Sequence, residues 1–339
     1  MKKCIFLLAA AAAAFASCTQ SEVMEVAEGR AIGFSSFVGK PTKAVIPVTT
    51  LSDNYYVFGN YNDQSTWDGQ AFNNEINTAT YYWQTGKTYR FGAYADGANG
   101  KIETSGTGAT VAFSATDKKL TFTNYTPNDS KDLVVAATDD ISADSYTGGS
   151  AVSLTFSHML SQVKLTFTTD AAATYQLTIT DVKINNAVST ATGTYIKDTG
   201  ASWDGGSATA GYSYEDFKTA ADGTIAISKE APASQVKLVI PQGSTETLNV
   251  TFTATIKGEK PAGTTTHTKN FTATLGHSLT TSGATANTWT AGYCYNYTAK
   301  IDIDDIVDNA SSLVPITFTP SVTDWIDAGN TDVTPNPAS

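Results

Sequence analysis

Histidine and cysteine are scarce, with three of each in 339 residues. Metal sites and nucleophile triads are built largely from these residue types, and none of His158, His267 and His277 has a carboxylate or serine at catalytic spacing. His158 is in phase with apolar Phe156, which is more typical of a hydrogen-bonded core histidine than of a metal ligand. The sequence therefore predicts no enzyme, no metal site and no cofactor.

Basic residues are also few. The 21 lysines and arginines are outnumbered by 32 aspartates and glutamates, which gives a formal net charge of −11. Binding to nucleic acid depends on a basic patch that neutralises phosphates, and no such patch offsets this acidity. The composition excludes a nucleic-acid partner and favours a soluble surface.

Long apolar runs are absent except at the start. Lys2 and Lys3 precede an apolar run at residues 5–16 that is too short to remain in a bilayer, as expected of an export signal. The four residues 15–18 resemble a bacterial lipoprotein box that ends in Cys18, which would become the lipidated first residue. The alternative is an ordinary signal peptide with a chance cysteine. Residues 19–30 are polar and acidic, and we interpret them as a short tether.

Loss of Cys4 with the signal and lipidation of Cys18 would leave Cys294 as the last thiol. No intrachain disulfide could then form, so packing must hold the fold together. We expect Cys294 to be a free, partly covered thiol, with an interchain disulfide as the alternative.

The abundant residues favour strands. Threonine is frequent, methionine occurs three times, and aromatic residues make up 11% of the chain. Short alternating runs are separated by Gly, Asn and Asp, and no long helical pattern is present. This spacing predicts an all-β protein made of antiparallel sandwiches. The clearest alternations cover residues 293–303 and 314–322.

The apolar period changes phase inside residues 152–167. Val152, Leu154 and Phe156 occupy even positions, whereas residues 163, 165 and 167 are apolar at odd positions. One flat strand cannot keep its inward face through such a switch, so two strands meet near residues 160–162. We interpret this point as a domain junction, with an amino-terminal domain over residues 31–153 and a carboxyl-terminal domain over residues 154–339.

The first strand candidate after the tether covers residues 31–38. Its even positions Ile32, Phe34 and Val38 can face a core. A loop follows in which the Lys43–Ala44 bond is a basic site that a trypsin-like protease could reach.

Several short motifs together resemble a known family. They are Ile32-x-Phe34 followed by Thr42-Lys43-Ala44, Tyr89-x-Phe91-x-Ala93-Tyr94, Asp132-Leu133-Val134-Val135-Ala136, Phe156-Ser157-His158-x-Leu160-Ser161, Trp289-x-Ala291-Gly292-x-x-Tyr295-x-Tyr297, Ile316-x-Phe318 and Val322-x-Asp324-Trp325. Their order and spacing over nearly the whole chain are similar to those of the fimbrillin family of Bacteroidales, the lipoprotein-precursor subunits of type V pili.

The resemblance implies two tandem transthyretin-like antiparallel β-sandwich domains and an assembly mechanism. The lipidated precursor would reach the outer membrane, and a protease would then cut after a basic residue that follows the first strand. Loss of that strand would open a groove that the carboxyl-terminal strand of a neighbouring subunit fills. The partners would be other fimbrial subunits, in a homopolymer or a mixed fimbria at the cell surface, together with a host or bacterial surface ligand.

On this sequence the removable strand would carry Ile32, Phe34, Phe37 and Val38, and the cut would fall at Lys43–Ala44. Well-known members are cut after arginine, so lysine at position 43 departs from the family pattern. The nearest arginine site is Arg30–Ala31, but a cut there would leave the strand attached. Absence of any cut is a third possibility.

The donor strand that the resemblance implies would carry Ile316, Phe318, Val322 and Trp325. The alternative is that this segment is simply the last core strand of its own domain.

A second functional hypothesis is a surface lipoprotein that binds glycans or a host ligand without polymerising. Flat aromatic rings stack on sugar faces, and one group of aromatic residues could do so: Tyr55, Tyr56, Tyr81, Tyr82 and Trp83. These side chains could equally be cross-strand pairs of the core and the sheet edge.

Overall fold

A computed structural model describes residues 30–38, 49–50, 54–63, 65–97, 100–129, 132–146, 150–170, 175–206, 209–217, 227, 232–257, 266–280, 283–307 and 312–325. The export signal, Cys18 and the Lys43–Ala44 bond lie outside these residues. Across the described ranges the single α-helix is α1 (Ile303–Val307), and no helix there is long and apolar enough to cross a bilayer.

Strands dominate the described residues, as the alternating sequence predicts. In chain order they are β1 (Gly33–Val38), β2 (Thr49–Thr50), β3 (Tyr56–Asp63), β4 (Thr66–Ile76), β5 (Thr88–Asp96), β6 (Thr110–Ser114), β7 (Lys119–Tyr125), β8 (Leu133–Ala137), β9 (Ile141–Ser142), β10 (Ala151–His158), β11 (Ser161–Thr168), β12 (Gln176–Asn185), β13 (Ala191–Ile196), β14 (Gly200–Trp203), β15 (Tyr212–Ser213), β16 (Ala233–Val239), β17 (Asn249–Lys257), β18 (Thr266–Thr274), β19 (Tyr293–Lys300), β20 (Leu313–Pro315) and β21 (Thr319–Asp324).

The amino-terminal half contains two sheets. The first sheet has the order β2-β1-β10-β8-β5-β3-β4, with β9 also paired to β5, and the second sheet has the order β14-β13-β7-β6. Strand β5 shows that side chains on both faces of the first sheet are buried. Tyr89, Phe91 and Ala93 are buried in one apolar core, whereas Tyr94, on the opposite face, is buried in another.

The carboxyl-terminal half is a second pair of sheets around a third apolar core. The third sheet has the order β16-β11-β19-β21 and the fourth β15-β12-β17-β18-β20. The predicted alternation of β19 is confirmed, because Tyr293, Tyr295, Tyr297 and Ala299 are all buried in this core.

The phase switch in the sequence is a real junction between two strands. Strand β10 ends at His158 and β11 begins at Ser161, with buried Met159 and Leu160 between them. Strand β10 belongs to the first sheet and β11 to the third. The prediction of two strands is therefore confirmed.

The expected boundary between residues 153 and 154 does not follow the sheets. Strand β10 stays in the first sheet as far as His158, and the β13–β14 hairpin lies after the junction but pairs with β7 of the amino-terminal half. A local hydrophobic period shows where strands begin and end, but it does not show which sheet a later hairpin joins.

Most of the strand pairs are antiparallel, as expected, but the sheets also contain parallel pairs. Three named pairs are parallel: β1 with β10, β11 with β19, and β18 with β20. The other paired strands are antiparallel. Side-chain alternation has the same period in both arrangements, so the pattern alone could not reveal strand direction.

Candidate functional site

Strand β1 lies close to an edge of the first sheet. It pairs in parallel with β10 from Gly33–Ala151 to Val38–Phe156. On its other side it pairs with β2 only at Phe37 and Val38. One long neighbour and one very short neighbour therefore hold the first described strand in place.

The inward face of β1 is part of the amino-terminal core. Ile32 is 4% exposed and Val38 is 8% exposed. The Phe34 ring packs edge-on against Phe72, at 5.4 Å between ring centroids, and against Phe91, at 5.3 Å. Three of the four predicted strand residues therefore contact the core that the sequence assigned to them.

The fourth residue, Phe37, is placed differently. It lies on the opposite face, half-buried, and Ser36 occupies the inward position instead. The Ser36 side chain is hydrogen-bonded to Tyr55. Burial raises the pKa of the Tyr55 hydroxyl, and its side-chain hydrogen bonds to Ser36 and Asn77 lower it by less. The sequence pattern did not predict that Ser36 faces inward, because a serine is polar and breaks the alternation of apolar residues.

Strand β10 depends on β1. Within the described residues, β10 pairs with β8 only at Ser157 and His158, so residues 151–156 have β1 as their sole ladder partner. The inward side chains of β10, which include Val152 and Leu154, are almost completely buried. Loss of β1 would expose an apolar row and an unpaired strand edge together.

Arg30 is held where the chain enters the fold. Its guanidinium donates to the Ala143 carbonyl at 2.6 Å and to Thr85 Oγ1 at 3.4 Å. Its own carbonyl accepts the N–H of Trp83 at 3.0 Å. The Arg30–Ala31 bond is therefore engaged by backbone and side-chain contacts.

The carboxyl-terminal segment packs into its own half of the molecule. Phe318 is 5% exposed and packs edge-on with Phe167 at 5.9 Å and with Tyr297 at 6.3 Å. Ile316 and Val322 are partly buried against the same core. In this structure Ile316, Phe318 and Val322 therefore belong to the last core segment of their own half, which is the arrangement that the sequence left as the alternative.

Strand β21 nevertheless occupies a sheet edge. It pairs only with β19, from Thr298–Thr319 to Tyr293–Asp324. Its side chains alternate between exposed and half-buried. An edge strand with little buried surface is the kind of element that detaches first.

Trp325, directly after β21, contacts the junction between the two halves. Its ring stacks on His158 with 4.2 Å between centroids and 13° between planes, and its backbone N–H donates to the Gly292 carbonyl at 3.0 Å. His158 Nδ1 lies 2.7 Å from Asp132 Oδ2. The prediction of a hydrogen-bonded core histidine is confirmed, and the described residues contain no group of three or more His, Cys, Asp or Glu that could hold a metal ion.

The five aromatic candidates for glycan binding do not form an exposed platform. Tyr55 and Trp83 are buried, and Tyr56 stacks on Tyr94. The Tyr81 ring lies 4.4 Å from that of Phe72. Only Tyr82 among the five, at 58% exposed, has a largely accessible ring. Most of these side chains therefore belong to the core, which is the alternative that the sequence analysis gave for them.

Cys294 lies opposite Thr323 on the face of β19 that points away from the third core. Its thiol is free and half-buried, and burial raises its pKa. The expectation of a partly covered thiol is confirmed.

Comparison with known proteins gives one family match and several structural likenesses. A family model described as fimbrillin-like matches residues 27–325. The fold is similar to that of a fimbrial protein from Bacteroides vulgatus ATCC 8482, with a TM-score of 0.56, 17% identity and coverage of 88% of this chain and 100% of that chain.

Two proteins assigned to cell adhesion are also similar. The one from Bacteroides uniformis ATCC 8492 has a TM-score of 0.45 and 18% identity, over 87% of this chain and 99% of its own. The one from Parabacteroides distasonis ATCC 8503 has a TM-score of 0.47 and 15% identity, over 88% of this chain and 97% of its own. No curated protein matches the sequence.

Proposed function

Because the chain belongs to the fimbrillin-like family, we propose that it is a structural and adhesive subunit of a cell-surface fimbria that polymerises by donor-strand exchange. The observation that carries this proposal is the position of β1. It is a core strand with one long ladder partner, and it lies at the amino-terminal end of the described fold. A strand in that position can be removed without cutting through the rest of the domain.

The precursor is exported as a lipoprotein. Cys18 carries the lipid that tethers it to the outer membrane, and residues 19–30 span the distance to the fold. A multiply acylated terminus is held on a membrane far more firmly than one with a single chain. Cleavage after the tether would release the subunit from the membrane and open the groove in one step.

The cut falls at Lys43–Ala44. The rival bond, Arg30–Ala31, is paired with residues 81–83 and is anchored by the Arg30 guanidinium, so a protease would first have to pull it out of the fold. Proteases cleave preferentially at exposed, loosely held segments. A cut at Arg30 would also leave β1 attached.

Removal of β1 would leave a groove with high affinity for another strand. Ile32 and Val38 each contribute roughly 1.5 to 3 kcal/mol through burial, and half-buried Phe34 adds its contacts with Phe72 and Phe91. The exposed edge of β10 offers backbone hydrogen bonds to a replacement strand. A donor from a neighbouring subunit that carries Ile316, Phe318, Val322 and Trp325 would restore both kinds of contact. The donor must first leave its own half, where Phe318 is buried in the core and β21 is paired with β19.

The proposal is tested by digesting the purified full-length precursor with a lysine-specific protease. We expect a new terminus at Ala44, found by mass spectrometry, together with oligomers that survive detergent without heating. The Lys43→Gln precursor should remain uncut and monomeric. The matched control is Lys40→Gln, which removes a lysine that precedes a proline and should behave like the natural chain. Complete cleavage at Ala44 with only monomers would contradict donor-strand exchange.

A further inference from the structure

The first and last strands of the fold share a side-chain pattern. The inward positions of the first strand segment are Ile32, Phe34, Ser36 and Val38. The carboxyl-terminal segment 316–322 repeats this order as Ile316-x-Phe318-x-Pro320-x-Val322. Both segments therefore present a branched, an aromatic, a small and a branched side chain at two-residue intervals.

We propose that segment 316–322 of a second copy enters the vacated groove parallel to β10, with Ile316 at the place of Ile32 and Val322 at the place of Val38. This inference rests on the proposed function, and it specifies the direction and register of the exchange. The partner is a second copy of this chain, because the chain itself carries the matching strand.

The inward pockets fit the donor in this register. The pocket between Phe72 and Phe91 that holds Phe34 would receive an identical ring from Phe318. Pro320 would lie where Ser36 lies, and it is also small. Tyr55 would lose its hydrogen bond to Ser36 and keep the one to Asn77.

The backbone also tolerates a proline at that place. The β10 residue in register with Ile32 would be Ser150, yet Ile32 donates its N–H to the Tyr81 carbonyl at 2.7 Å. The N–H of position 32 therefore points away from β10. Alternate residues of a regular strand point their N–H groups the same way, so position 36 gives no donor to β10 that a proline would remove.

The outward positions fit as well. Thr317 would replace Gly33, where an added Cβ lies 4.0 Å from Ala151 Cβ, an ordinary contact distance. Ser321 would take the half-buried place of Phe37, opposite Thr155. A small polar side chain suits this face, because Ala151, Ser153 and Thr155 of β10 are exposed there.

Other arrangements fit poorly. A shift of one residue would turn the threonines of the donor into the core. A shift of two residues toward the carboxyl end of the groove, or an antiparallel entry, would place the Phe318 ring in the space of Ser36. Packing at native density does not admit an aromatic ring where a serine fits, at a cost of about 1 to 3 kcal/mol or more.

Disulfide trapping between two copies distinguishes these arrangements. The background is the full-length chain with Cys4, Cys18 and Cys294 replaced by serine. One preparation carries Thr317→Cys, and a second carries Ala151→Cys, Ser153→Cys or Thr155→Cys; all four positions are exposed. The two preparations are mixed, cut with the protease and oxidised, and the cross-linked peptides are quantified by mass spectrometry.

The parallel register brings position 317 beside position 151, about 5 Å away, within the range of a disulfide. We expect the 317–151 product to exceed the 317–153 and 317–155 products at least tenfold, and to be absent without protease. A dominant 317–155 product would show antiparallel entry, and a dominant 317–153 product a shifted register. Either result would overturn the inference while leaving donor-strand exchange intact.

Two further outcomes are decisive. Detergent-stable oligomers without any of the three cross-links would show that another segment fills the groove, which overturns the inference alone. Complete cleavage at Ala44 without oligomers would overturn the proposed function together with it. Oligomer formation by each variant under reducing conditions shows that the cysteines have not impaired folding.

Discussion

At the scale of single residues, the inward row of β1 determines how tightly the first strand is held. Phe34 joins this row to the rest of the core, because its ring contacts the rings of Phe72 and Phe91. Ser36 interrupts the row and hydrogen-bonds to Tyr55 instead. The combination gives a strand that is well anchored in the amino-terminal core.

The first prediction concerns Phe34→Ala. Truncation of this half-buried ring should weaken the β1–β10 pairing by about 3 kcal/mol, the lower end of the range for a core phenylalanine. Amide hydrogen exchange in residues 151–156 should rise on the order of 100-fold. The matched control is Phe37→Ala, on the opposite face of the same strand, which should change exchange less than about fivefold. Equal effects of the two variants would contradict the assignment of the inward face.

The second prediction concerns Trp325→Ala. This change removes the stack on His158, a pair worth about 0.5 to 1.5 kcal/mol, and should raise the open fraction of β21 about 2- to 10-fold. Cys294 reports this opening because it lies opposite Thr323 of β21.

The measurement is the rate of thiol labelling with Cys4 and Cys18 replaced by serine. Burial raises the pKa of Cys294, so labelling of the closed form is slow at neutral pH. Asp68→Ala, on β4 of the other half, provides a control that should not alter the rate. A labelling rate unchanged by Trp325→Ala would show that the stack does not hold β21.

At the scale of elements, the sequence revealed the strands better than their partners. The alternations that end at Phe156 and begin at Val163 correctly indicated two strands that meet at a junction. The parallel direction of β1 against β10 could not be predicted, because these strands are far apart in the chain and the side-chain period is the same in either direction. The pairing of the β13–β14 hairpin with β7 was equally hidden, because that contact depends on the tertiary fold.

The third prediction tests how this hairpin is held. An added Cβ at Gly193 would lie 2.7 Å from the Trp203 ring, closer than packed atoms allow. The Trp203 indole N–H donates to the Met159 carbonyl at 2.7 Å, so the ring cannot move away without losing that bond. Gly193→Ala should therefore destabilise the chain by about 1 to 3 kcal/mol and lower the apparent Tm by several degrees.

The control for this prediction is Gly205→Ala. Among the described residues, an added Cβ at Gly205 meets no heavy atom within 4 Å. Its Tm should match that of the natural chain to within about a degree. If Gly193→Ala melted at the same temperature, the close approach of β13 to Trp203 would not be a feature of the folded protein.

At the scale of the whole molecule, buried tyrosines link stability to pH. Burial raises the pKa of Tyr94, Tyr125, Tyr212 and Tyr214 above the ordinary value. Raised pKa values mean that the folded state holds these protons more tightly than the unfolded state. Their contribution to stability is therefore complete below pH about 10 and is lost as the pH rises further.

The fourth prediction follows from these raised pKa values. In an alkaline titration, Tyr94, Tyr125, Tyr212 and Tyr214 should ionise in one steep step, together with loss of the near-ultraviolet circular dichroism. Tyrosinate absorbance measures the ionisation and circular dichroism measures the loss of the fold, and the two are recorded over the same pH range. Smooth titration of these four tyrosines near the ordinary value, with the fold intact, would show that their hydroxyls are not buried.

The measurement that tests the central claim most directly is the mass of the protease-cut chain, by light scattering, with an excess of a synthetic peptide of residues 31–43. The peptide carries the natural first strand, so it should occupy the groove and keep the cut chain monomeric. A scrambled peptide of the same composition should leave the polymers unchanged. Polymers of equal mass with both peptides would contradict the claim that one copy's first-strand groove is the binding site for another copy's last strand.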